Sequence, residues 1–219
     1  MRVVLMSGTL IPEAVCGAAA AICTDSNDPY KSLNHALASG HTSVLEHAVF
    51  TFRVTGLSRA ALAQLTRHRL ASFDVQSQRY VKLDNPELVI PETVKNSDFA
   101  EEAERTMKQV MDLYKRMVEA GIPCEDARYV TPQAVTTSLI MTMNARELLH
   151  FFSLRTCNRA QWEIRQLADE MLRQCMEYAP EIFDHAGPGC VTGTCPEKKP
   201  CGHPREEGEW TDDSENKTV

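Results

Sequence analysis

Two stretches of this chain alternate with the period of a strand, and most of what surrounds them has the period of a helix. From His47 to Thr55, Ala48, Phe50, Phe52 and Val54 share one face, and His47, Thr51 and Arg53 share the other. Within AVTTSLIMTM (134–143), Val135, Thr137, Leu139, Met141 and Met143 alternate in the same way. Such alternation puts every second side chain on one face of a sheet. RVVLM (2–6) reads as a further short strand. Elsewhere apolar residues recur at three- and four-residue steps, clearest at Ala100, Ala103, Met107, Val110, Met111, Tyr114, Met117 and Val118. Helices are expected over 12–23, 29–39, 58–69, 97–121, 144–154 and 160–175, with Ser58 as one N-cap and Asn144 with Glu147 as another cap pair. This mixture predicts an α+β fold. It is a single domain with a central mixed or antiparallel sheet flanked by helices, plus a disordered C-terminal tail.

The domain is expected to span 1–185. Residues 186–219 form a Cys/Gly/Pro-rich acidic tail without period, read as mostly disordered. No run of about 18 apolar residues is present, so no membrane span is expected. Eight cysteines without a secretory signal read as reduced thiols, and the expected location is cytoplasmic. A formal net charge of -7 argues against general nucleic-acid binding. It does not oppose a small anionic ligand, because a local cationic cluster can bind what the net charge would repel.

Three polar clusters carry chemistry. TRHRLASFDVQSQRY (66–80) follows Gln64 with Arg67, His68, Arg69, Gln76, Ser77, Gln78 and Arg79. On a continued helix Gln64, Arg67 and His68 share a face, where a guanidinium fork and an amide can grip an oxyanion and a base edge. Ser77 and Arg79, two apart in an extended loop, point the same way and suit a phosphate. A solvated basic helix end fits the same spacing. GHTSVLEH (40–47) offers His41, Ser43, Glu46 and His47, for which ligand hydrogen bonding is favoured over a metal. NARELLHFFSLRTCNRAQWEIR (144–165) places Arg146, His150 and Arg155 toward one side of a helix, with Glu147 and Glu163 as carboxylates able to balance them. In the tail, Cys190, Cys195, Cys201 and His203 lack the paired spacing of a zinc knuckle, and no metal site is assigned.

RHRLASFDVQS fits R-H-R-x7-S, the signature of the flavin-dependent thymidylate synthases. GHTSVLEHAVFTF resembles that family's H-x-[ST]-x-x-E-H segment, and NARELLHFFSLR and AQWEIR resemble its C-terminal helices, all in the family's order over about 20–175. The resemblance implies methylation of dUMP to dTMP, with 5,10-methylenetetrahydrofolate as one-carbon donor and FAD reduced by NADPH. It also implies a homotetramer whose active sites draw on several chains. By residue-wise match, Arg67, His68, Arg69, His41, Ser43, Glu46, Asn144, Arg146 and His150 fall on the FAD side. Gln64, Arg67, Gln76, Ser77, Gln78, Arg79, Arg128 and Arg155 fall on the dUMP side. Arg155 is implicated in activating the uracil ring, and Ser77 is the signature serine. Val75 stands where family members often carry Glu, which removes a carboxylate contact to dUMP while leaving a backbone one.

The thymidylate synthases that use a cysteine nucleophile need a Pro-Cys-His context; here Pro123-Cys124 is followed by Glu125, and Pro200-Cys201 by Gly202. A non-enzymatic RNA-binding module built on the basic stretch predicts steeply salt-dependent binding and no colour.

Overall fold

The computed structural model describes residues 1–206, 208 and 209. Four strands, β1 (Arg2–Gly8), β2 (Val49–Ser58), β3 (Ala71–Val75) and β4 (Thr136–Asn144), form one sheet in the order β1-β2-β4-β3. Every pairing is antiparallel, which resolves the expected sheet type. The helices are α1 (Pro12–Thr24), α2 (Pro29–Ala38), α3 (Arg59–Leu65), α4 (Glu92–Lys95), α5 (Ala100–Glu119), α6 (Cys124–Ala127), α7 (Ala145–Arg155), α8 (Trp162–Tyr178), α9 (Pro180–Phe183) and α10 (Gly189–Thr192).

The period-two faces become the core. Phe50, Phe52, Val54, Leu139, Met141 and Met143 are buried beneath the helices, together with Phe151, Phe152, Ile164, Leu167 and Leu172 of α7 and α8. The edge strand β1 is closed from that side: Gln174 of α8 accepts from the Leu5 amide at 2.6 Å and donates to the Val3 carbonyl at 3.1 Å. That satisfies backbone groups which would otherwise invite another strand. The opposite sheet face, with Arg2, Val4, Met6, Arg53 and Thr55, borders a cavity of about 370 Å³. Gly56 sits at the β2 bulge with φ +77°, and an added Cβ there would lie 3.3 Å from the Met1 Cα. Only glycine takes that backbone at little cost.

Four local expectations change. His47, the expected first residue of the strand, closes a 3-10 turn over 42–47, and β2 begins at Val49. α3 stops at Leu65, four residues short of the expected end, because the chain turns to enter β3. β3 is a strand the sequence pattern does not announce; Ser72 and Asp74 are exposed while Ala71, Phe73 and Val75 pack against the core cluster. Residues 77–81 close a turn, with the Val81 amide donating to the Ser77 carbonyl at 3.0 Å, so the alternate-residue argument for Ser77 and Arg79 does not apply.

The segment read as a tail is described through 206. It lies against the body as an irregular strap, and Arg205 within it is buried. The remainder of the expected disordered tail, 207 and 210–219, lies outside the described residues.

Candidate active site

The turn after α3 and the polar side of α7 meet across a cavity of about 800 Å³. Its walls include Glu46, Arg67, His68, Arg69, Asn144, Arg146, His150 and Arg155. Two side-chain caps set the starts of the helices concerned. Ser58 caps α3 by accepting from the Ala61 amide at 3.0 Å, and both its own amide and its hydroxyl donate to the Glu163 carboxylate of α8. Glu163 is therefore a carboxylate that positions α3, not a partner for arginines as the sequence suggested. Asn144 caps α7 through the Glu147 amide at 2.9 Å.

Across the cavity floor runs a chain of hydrogen bonds. Arg155 Nε donates to His68 Nε2 at 3.1 Å, and His68 Nδ1 meets Glu147 Oε1 at 3.1 Å. Because Arg155 can only donate, His68 Nε2 must accept, and its proton sits on Nδ1 toward Glu147. His68 is buried, and that burial drives its pKa below the ordinary histidine value, against the pull of Glu147 and with the push of Arg155. A neutral imidazole is what the hydrogen-bond direction requires. Phe151 packs edge-on against the His68 ring at 4.9 Å and fixes its plane.

Glu46 and Arg146 pair at the rim, 2.5 Å apart and half exposed. Arg67 and Arg69 have no carboxylate partner among the described residues. Burial and the facing Arg67 charge push Arg155 below the ordinary guanidinium value. Two guanidiniums facing one concave wall favour an anion between them.

A second cavity, about 440 Å³, is lined by Arg59, Thr66, Gln78, Arg128, Tyr129 and Gln133 among others. Arg59 NH2 donates to the Gln76 carbonyl at 2.9 Å, but its Nε is buried without a partner, as is Gln78 Nε2. Burial and the Arg128 charge push Arg59 below the ordinary guanidinium value. Buried donors without acceptors cost free energy unless a ligand supplies the acceptors.

The predicted residues thus divide. Glu46, Arg67, His68, Arg69, Asn144, Arg146, His150 and Arg155 line the large cavity; Gln78 and Arg128 line the smaller one. His41 and Ser43 lie exposed on the 3-10 turn and line neither. Gln64 touches the large site through its carbonyl, 3.5 Å from Arg155 NH2. Arg79 is paired with Glu125 at 2.6 Å and lies over the Tyr80 ring, away from Arg155's wall. Gln76 is exposed, and Ser77 Oγ accepts from the Arg79 amide at 3.1 Å. Arg59 was missed. Its signal was available: a cation in the first turn of a helix opposes the helix dipole, so it asks for another reason to be there. Cys157, Cys190, Cys195, Cys201 and His203 border a third cavity, yet no group of three His, Cys, Asp or Glu among the described residues can hold a metal.

An antiparallel α+β fold with two cationic cavities, one along α3 and one at the turn that follows it, defines a protein built to bind anionic ligands. The family profile described as "Thymidylate synthase complementing protein" matches residues 4–181. The flavin-dependent thymidylate synthase of Geobacter sulfurreducens is 48% identical over 212 residues, 90% of this chain and 91% of that one. Its counterpart from Pyrococcus furiosus is 46% identical over 182 residues, 78% and 75% of the two chains. A crystal structure of the flavin-dependent thymidylate synthase of Helicobacter pylori, complexed with FAD and dUMP, superposes with a TM-score of 0.71 at 28% identity, covering 85% of this chain and all of that one. The chain belongs to the family of flavin-dependent thymidylate synthases.

Proposed function

We propose that the two cavities are parts of one site for FAD and dUMP, completed between chains of a homotetramer. The activity is FAD-dependent methylation of dUMP to dTMP. The observation that carries the residue assignment is the pair of facing guanidiniums, Arg67 and Arg155, with no carboxylate between them. Arg67, His68, Arg69, Glu46, Asn144, Arg146 and His150 hold the flavin side, joined by His41 and Ser43 of a neighbouring turn. Gln64, Arg67, Gln76, Ser77, Gln78, Arg79, Arg128 and Arg155 hold dUMP, and Arg59 joins them as a phosphate ligand. The buried unpartnered nitrogens of Arg59 and Gln78 fit a phosphate, which brings several acceptors at once.

Bound FAD supplies the redox chemistry; NADPH reduces it and 5,10-methylenetetrahydrofolate brings the one-carbon unit. What this chain adds is orientation and charge. Arg155 commits Nε to His68 and directs NH2 toward the Gln64 carbonyl, so NH1 and the outer hydrogen of NH2 remain for the ligand. There they stabilise negative charge building on a uracil carbonyl as carbon 5 becomes nucleophilic. His68, held neutral and in one tautomer by Glu147, keeps that fork aimed.

Two features support shared sites. Ser77 and Arg79 lie away from the Arg155 wall within one chain. The apolar stripe of α5, including Met107, Val110, Met111, Met117 and Val118, is only half buried. Residues 1–185 are the catalytic domain. All eight cysteines are free and no described helix is long and apolar enough to cross a membrane, which supports a reducing, cytoplasmic setting.

The test is dTMP formation from dUMP by the full chain, omitting FAD, 5,10-methylenetetrahydrofolate or NADPH in turn. Product should vanish with each omission. Sustained product from flavin-free protein would overturn the reading.

A further inference from the structure

The family match ends at residue 181, and the strap beyond it touches the element that carries Arg155. α7 ends at Arg155, and Thr156 is its C-cap. The last carbonyls of a helix have no intrahelical donor, and the negative end of the helix dipole gathers there. Thr156 is fully buried, so water cannot serve its carbonyl. Arg205 serves it instead. Its NH1 donates to the Thr156 carbonyl at 2.9 Å and to Asp169 Oδ1 of α8 at 2.6 Å, while its Nε donates to Glu209 at 2.8 Å. One guanidinium thus caps α7 from a point 49 residues away and ties that cap to α8.

Two further contacts fix the same loop. Asn158 Nδ2 donates to the His203 carbonyl at 2.8 Å, and Arg159 donates to the Lys199 carbonyl. Between strap and loop lies a cavity of about 410 Å³, and Leu154 and Arg155 line both it and the large cationic cavity. Arg155 therefore stands in a partition with ligand space on one side and the strap on the other. Burial pushes the Asp169 carboxyl up against the pull of Arg205.

We propose that Arg205 is a positioning residue for the methylation: by clamping the carbonyl of Thr156 to α8 it holds the last turn of α7, and with it the Arg155 fork, in its working place. The inference rests on the role given to Arg155 above. A strap without this hold would be a cover, contributing to folding and nothing else. A strap with it makes turnover depend on a residue outside the matched family region.

The experiment compares full-length Arg205→Ala, Arg205→Lys and Arg155→Ala for kcat, KM for dUMP, bound FAD by visible absorbance, and thermal midpoint. Arg205→Ala should lower kcat about tenfold or more while bound FAD stays at the wild-type level. Arg205→Lys should recover most of kcat, since one ammonium can reach both Asp169 and the Thr156 carbonyl. Unchanged kcat in Arg205→Ala, no recovery in Arg205→Lys, or a kcat loss matched by lost FAD would each overturn the proposal. Should Arg205→Ala not fold, Asp169→Asn loosens the same clamp; it should lower kcat with FAD retained, and wild-type kcat would overturn the proposal. Arg155→Ala separates the two layers. If it keeps wild-type turnover, the role of Arg155 fails; if it is inactive while Arg205→Ala is not, only the strap's role fails.

Discussion

The two cationic cavities, one along α3 and one at the turn that follows it, solve the problem of buried charge differently. In the large one the central cation is braced by protein: Arg155 donates to His68, and His68 is anchored on Glu147. In the small one the cations are left waiting, with Arg59 Nε and Gln78 Nε2 buried and unpartnered beside Arg128. A braced group is preorganised, so it loses little on moving from ground state to transition state, which suits the reacting end of a nucleotide. An unsatisfied group gains when the ligand arrives, which suits the anchoring end. The difference supports the proposed placing of ring chemistry in the large cavity and phosphate binding in the small one.

The sharpest way to break that assignment is Arg155→Ala. It should retain FAD and lose about 10²–10³-fold in kcat, the scale of one removed charge-stabilising donor. A pure rise in KM for dUMP would move Arg155 into the anchoring class. Next in size, Arg59→Ala and Arg128→Ala should each raise the KM for dUMP about tenfold to a hundredfold, as loss of a charged hydrogen bond does, with kcat changed far less. An equal fall in kcat would erase the contrast.

A smaller effect comes from pH. His68 has its pKa lowered in the folded protein, chiefly by burial, so the unfolded chain binds the proton more readily. Its contribution to stability is present above the ordinary histidine value and is lost as pH falls through the lowered folded value. Protonation also removes the acceptor that Arg155 uses. Turnover should therefore show an acid limb below the ordinary histidine value, and His68→Gln, whose amide can both accept and donate, should flatten it. An unchanged limb in that variant would place the titration elsewhere. Smallest of all, Cys124→Ser and Cys157→Ser should stay within about twofold of wild-type kcat, because the proposed chemistry uses no thiol. The buried thiols are poorer nucleophile candidates still: burial pushes Cys16 up to about 11 and raises Cys175 as well.

Much of this arrangement was legible in the sequence where the signal was periodic. β2, β4 and α5 declared themselves because alternation or a 3.6-residue stripe runs for nine residues or more in each. β3 did not. Its five residues include Ser72 and Asp74, and its strand identity comes from pairing with β4, a contact no local pattern records. For the same reason the turn at 77–81 was read as extended. In the site, Arg67, His68, Arg69, Arg146 and Arg155 could be picked out by spacing and by resemblance. The direction of the His68 hydrogen bonds could not, since it depends on which side chain of α7 lies opposite. Arg59 and Arg205 escaped because each sits in a segment whose composition has an ordinary explanation, a helix start and an acidic tail.

The most direct test of the account is the visible spectrum of the purified full chain reconstituted with FAD, recorded with and without dUMP and then after NADPH. The account predicts bound flavin whose bands shift on adding dUMP and bleach with NADPH, with the dUMP shift needing far more ligand in Arg59→Ala and Arg128→Ala. Bound flavin indifferent to dUMP, or a dUMP response that ignores both substitutions, would contradict the claim that the two cavities form one site.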